Sequence, residues 1–131
     1  MKRFLIVFML LNGCTAPPHD DFDAIEASEA ARKWLTEIDR GQVEKAWAET
    51  SQLFQKTAPD GARQLGLSRD ETGLPRDRTE KSKRVTQSLP GLPAGSYTVV
   101  EFETRFARES YTETAILCQE GNWKIVGYFM R

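Results

Sequence analysis

At 131 residues, with 28% charged and 40% apolar side chains, the sequence has the composition of one globular domain and is too apolar for a disordered chain. Its net charge is −1; removing residues 1–13 takes Lys2 and Arg3 away and leaves 16 basic side chains against 19 acidic, or −3. That balance excludes a general attraction to nucleic acid, and a chain of this size buries roughly two-thirds of its unfolded surface without disulfide staples.

Met1-Lys2-Arg3 followed by the apolar residues 4–11 is a charged and then hydrophobic leader. As a helix the apolar run spans only about 12 Å, far short of the ~30 Å hydrocarbon core, so it reads as a secretion signal rather than a membrane span. Leu11-Asn12-Gly13-Cys14 resembles the lipobox of bacterial lipoproteins. The resemblance implies that the Cys14 thiolate takes a diacylglyceryl group and becomes the mature terminus. Several chains together hold a protein on a bilayer, each buried CH₂ adding about 0.8 kcal/mol. Thr15, where an inner-membrane lipoprotein commonly has Asp, implies the periplasmic face of the outer membrane. Residues 1–13 are thus read as signal peptide, 14–21 as a tether broken by Pro17-Pro18, and 22–131 as one domain. His19 is the only histidine and is read as a solvated tether residue rather than a metal ligand.

Ala27, Ala31, Trp34, Leu35 and Ile38 fall on one helical stripe, which predicts a helix over 22–40 closed by Gly41. A second helix is predicted over 42–56, with Val43, Ala46, Trp47, Leu53 and Phe54 on its apolar side. Trp34 and Trp47 read as core, with a ligand-stacking pair as the sharper alternative. Asp60 opens a weak third helix through Ala62 and Leu65, weakened by Gly61, Gly66 and Gly73. Basic residues concentrate between Arg63 and Arg84 but are interleaved with Asp70, Glu71, Asp77 and Glu80, so this stretch reads as a solvated loop surface. Residues 79–88 are an edge strand at most, and the prolines and glycines of 89–95 make a loop.

The rest is a predicted three-stranded meander over 97–106, 111–119 and 122–130, with a turn at Glu120-Gly121-Asn122. Thr98, Val100, Phe102, Thr104 and Phe106 alternate on one face of its first strand, and Tyr97, Val99, Glu101, Glu103 and Arg105 on the other. The apolar face needs the upstream helices as a roof. Trp34, Trp47, Val100, Phe102 and Phe106 are therefore the candidates for core or pocket lining.

Trp34-Leu35, Ile38-Asp39, Gly41, Ala46-Trp47, Phe54, Leu89-Pro90-Gly91, Gly95-Ser96-Tyr97, Phe102-Glu103-Thr104, Phe106, Glu113-Thr114 and the closing run 121–129 (GNWKIVGYF) resemble the bacterial family known as protein of unknown function (DUF) 4019. The resemblance covers residues 27–130, is most specific in the C-terminal half, and departs from the family over 59–78. It implies an α+β domain of the NTF2-like or cystatin-like kind, with two or three N-terminal helices on a curved antiparallel sheet of three to four strands. It supplies no catalytic residues.

Nothing in the sequence matches a phosphate loop, a metal-ligand spacing or a Ser/His/Asp set, so neither metal nor cofactor is expected. With Cys14 lipidated, Cys118 has no partner within the chain and reads as a small buried residue. Tyr97, Glu101, Glu103, Arg105 and Glu113 form the candidate polar site on neighbouring strands. A carboxylate base would need an apolar cavity, and the cavity-facing set of Val100, Phe102 and Phe106 offers no carboxylate. The favoured reading is a non-catalytic envelope module that is anchored to the membrane by lipid and binds an envelope protein or a small apolar ligand. The alternatives are a small-pocket enzyme using Glu101, Glu103 or Glu113, and a structural spacer acting through the 63–84 surface.

Overall fold

The computed structural model describes residues 21–131. The leader, Cys14, the tether and His19 lie outside the described residues. Among the described residues no helix is long and apolar enough to cross a membrane.

Helix α1 (Asp21–Asp39) ends as its sequence predicts. Gly41 takes φ +82°; its N–H bonds Ile38 O at 3.0 Å while Gln42 N–H bonds Glu37 O at 2.9 Å. These are the paired bonds of a Schellman cap, which asks for glycine at the left-handed position. The predicted second helix is instead two short ones, α2 (Val43–Ala48) and α3 (Gln52–Thr57). Thr50 Oγ1 donates to Trp47 O, and Ser51 turns extended and caps α3 by accepting from Phe54 N–H. Such local side-chain bonds compete with helix continuation. The region expected to be weakest forms a full helix, α4 (Gly61–Thr72). Its buried stripe is Gly61, Leu65, Arg69 and Thr72. Gly61 is needed there because the Trp47 ring occupies the space a Cβ would fill.

The sheet is an antiparallel meander of β1 (Pro75–Thr86), β2 (Tyr97–Phe106), β3 (Ser110–Glu120) and β4 (Asn122–Met130), in that spatial order. The molecule is thus α+β, with helices packed on one face of a four-stranded sheet. Strand β1 begins earlier than the sequence suggests and takes Arg76 and Arg78 out of the expected loop. Register shifts at Pro75/Asp77, Glu80/Ser82 and Ile116/Leu117 bend the strands locally.

Under α1, Trp34, Leu35 and Ile38 pack on Val100, Phe102, Ala115, Leu117 and Ile125. Trp34 Nε1–H donates to Ala46 O at 2.8 Å, which ties α1 to α2. The opposite face of the sheet carries a smaller cluster of Tyr97, Cys118 and Val126, covered by Leu89 and Leu92 from the loop expected there. Cys118 is fully buried, as expected, but it is disulfide-bonded rather than a free thiol.

Candidate functional site

Strand parity puts Glu113 with Ala115 and Leu117, opposite Phe102, on the face that meets the helices. It is fully buried. Its Oε1 accepts from Arg78 Nε at 2.8 Å and Thr104 Oγ1 at 2.5 Å; its Oε2 accepts from Arg69 Nη2 at 3.1 Å and Tyr128 Oη at 2.5 Å. The same two guanidiniums bind Asp39, Arg69 through Nε at 3.0 Å and Arg78 through Nη1 at 2.7 Å. Asp39, Arg69, Arg78, Thr104, Glu113 and Tyr128 come one each from α1, α4, β1, β2, β3 and β4. Two carboxylates against two guanidiniums leave the cluster neutral, and the guanidinium of Arg69 also lies 5.0 Å from the Phe106 ring centre.

Burial by itself would raise the Glu113 carboxyl, but the Arg78 charge and the hydrogen bonds from Arg78, Thr104 and Tyr128 outweigh it and hold the group below its ordinary value. Burial and the neighbouring Glu113 charge push the Tyr128 phenol up, so it stays a donor. A carboxylate with all its acceptor sites taken and a lowered affinity for protons is poorly suited to act as a general base.

The candidate polar site is therefore split three ways. Tyr97 is buried on the opposite face, its hydroxyl donating to Pro93 O at 2.5 Å. Glu101 binds Ser82 at 3.2 Å and Arg131 at 3.3 Å, Glu103 binds Thr112 at 3.1 Å, and Arg105 binds Asp77 at 2.6 Å, all at the outward surface. Glu113 alone is inside. The expectation that the cavity-facing set holds no carboxylate is thus corrected, and so is the solvated-loop reading of Arg69 and Arg78. Asp39, Arg69, Arg78, Thr104 and Tyr128 were not singled out from the sequence. The signal for Glu113 was its shared parity with Ala115 and Leu117; for Arg69 it was the four-residue spacing from Leu65 on the stripe α4 buries, which the surrounding charges hide, and Arg78 gave none.

Trp34, Val100 and Phe102 fill the space between α1 and the sheet, and Phe106 is buried beside Arg69 and Tyr111. The open space lies to one side. A cleft of about 470 Å³ runs between α3, α4 and the end of β4, walled by Trp47, Phe54, Leu65, Tyr128, Phe129 and Met130 among others. Among the described residues Asp60 is the only charged side chain on that wall. Trp47 thus belongs to the cleft as much as to the core, set edge-on to Phe54 at 4.9 Å between ring centres. Tyr128 joins the two features: its ring lines the cleft while its hydroxyl is held by Glu113. A second cleft of about 470 Å³, beside Trp34 and Trp123, is ringed by Lys33, Glu49 and Lys124 and is more polar. No cluster of potential metal ligands occurs among the described residues.

The model of the family described as "Protein of unknown function (DUF4019)" matches residues 30–128, a span that holds all six network residues and most of the cleft wall. No curated protein and no solved structure matches the chain.

Proposed function

The chain belongs to the DUF4019 family of proteins of unknown function, and on that footing we propose that it is a lipid-anchored, non-catalytic binding module of the bacterial envelope, held at the periplasmic face of the outer membrane through Cys14. The observation that carries the binding role is the apolar cleft of about 470 Å³ beside β4, a size suited to a buried ligand group. The absence of catalysis is supported by Glu113, the one carboxylate on the helix-facing side of β3, whose oxygens are spent on Arg69, Arg78, Thr104 and Tyr128. Glu101 and Glu103, the other carboxylates considered as bases, sit on the outward face, away from either cleft. The spacer reading loses Arg78 as a surface contact, because reversing its charge would break a buried network rather than alter a surface.

The anchor rests on Leu11-Asn12-Gly13-Cys14. The chain has two cysteines, and a sulfur carrying a lipid cannot also form a bridge, so the bonded state of Cys118 stands against an anchor at Cys14 if the bridge is internal, and experiment separates the two. Labelled palmitate fed to an expressing bacterium is expected to enter the wild-type protein and not Cys14→Ala. Intact mass of the mature protein is expected to show a modified Cys14 as its first residue. An unlabelled protein with Cys14 bridged to Cys118 would overturn the anchor and leave the cleft reading standing.

A further inference from the structure

The end of β4 is a sheet edge with no described residue paired to it. Thr112 and Arg131 exchange both main-chain hydrogen bonds, at 2.9 and 3.1 Å, which fixes the alternation along the β3–β4 pair. Counting back, Phe129 opposite Thr114 is a bonded position, whereas Met130 opposite Glu113 and Tyr128 opposite Ala115 are not. The N–H and C=O groups of Tyr128 and Met130 therefore point away from β3. No loop or helix among the described residues supplies them a main-chain bond.

That edge is already used once by the chain itself. Ser51 N–H bonds Ile125 O at 2.9 Å, and the chain then turns into α3 and leaves the edge. The cleft opens beyond this point, with Tyr128, Phe129 and Met130 on its sheet side and Phe129 48% exposed. The opposite edge, β1, is guarded in the usual way by charged side chains along its length.

We propose that the cleft and this edge together bind an extended segment of a partner protein. The segment adds beside β4 through main-chain bonds to Tyr128 and Met130 and seats one uncharged apolar side chain between Trp47, Phe54 and Leu65. It continues toward Met130 a pairing that the chain itself begins at Ile125. A free acyl chain fits the apolar wall but offers nothing to two outward donors and two outward acceptors, which it would strip of water; a strand matches both the spacing and the pocket. The seated side chain is uncharged because Asp60, the one charge among the described residues of the wall, is already paired with Arg63 at 3.0 Å. This inference rests on the cleft being the binding site.

The test uses the whole protein purified from an expressing host, with three probes: a short blocked peptide alternating threonine and leucine, the same peptide N-methylated at alternate amides, and sodium laurate. The unmethylated peptide is expected to bind and to slow hydrogen exchange at the Tyr128 and Met130 amides. N-methylation is expected to weaken it by about tenfold, the loss of one or two main-chain bonds. Met130→Pro deletes an outward N–H without removing a bond to β3, so the peptide should again bind about tenfold more weakly to a protein whose melting temperature is little changed. Met130→Leu should bind as the wild type does. Equal binding of both peptides would overturn the proposal, as would two copies of the protein pairing at this edge and shutting the peptide out. Laurate binding without peptide binding would overturn it and spare the binding-module reading; binding of none of the three would sink both.

Discussion

Glu113 shows how much one residue's surroundings decide. A lone buried carboxylate would be costly, and here each guanidinium bridges Glu113 and Asp39, so no charge in the cluster is left without a counter-ion. Removing one member of such a group strands the others. Glu113→Gln keeps the shape but leaves Arg69 and Arg78 sharing one carboxylate, and is expected to lower stability by about 3–5 kcal/mol in urea unfolding. A loss under about 1 kcal/mol, the scale of an exposed pair, would mean the cluster is wetter than its burial indicates.

Between neighbouring elements, short polar joints set the geometry. Ser51 does two tasks: its side chain caps α3 and its main-chain N–H seats the joint on β4. Ser51→Ala removes only the first, so a loss of about 1 kcal/mol is expected, with β4 unchanged by amide exchange. A loss of protection across β4 would show instead that the hydroxyl holds the joint in place. Gly61 works at the same scale, letting α4 approach the Trp47 ring closely enough to build one wall of the cleft. The two edges of the sheet differ for related reasons: β1 is long and charged, while β4 is covered by the α3 joint over part of its length and, among the described residues, unpaired at its end.

For the molecule as a whole, the network predicts a stability plateau with two shoulders. The Glu113 carboxyl is lowered on folding, so its contribution is present above the ordinary carboxylate value of about 4.3 and is lost as the pH falls through the folded value. The Tyr128 phenol is raised, so its contribution is present below about 10 and is lost as the pH rises through the folded value. Unfolding free energy measured against pH is expected to fall at both ends. Tyr128→Phe should flatten the alkaline shoulder and shrink, without removing, the acid one, since Arg78 and Thr104 still hold Glu113; an alkaline shoulder of unchanged size would assign it to another group. Glu37 and Glu80, also lowered but nearer the surface, add to the acid side.

Periodicity determined the helix-on-meander plan by itself, because a stripe at helical spacing and an alternation of two each leave an apolar face that only the other can cover. It located α1 and its Gly41 cap, the buried face of β2 and the turn into β4, all set by residues close together in the chain. The break at Ser51 combines local capping with a main-chain bond to distant Ile125, and the full length of α4 and the early start of β1 were decided by packing against distant residues, Trp47 and Phe106 among them. The polar network and the cleft belong wholly to the tertiary structure. An arginine in a charged run looks the same whether it meets water or a buried carboxylate, and Arg69 and Glu113, 44 residues apart, become partners only when the sheet and α4 close on each other.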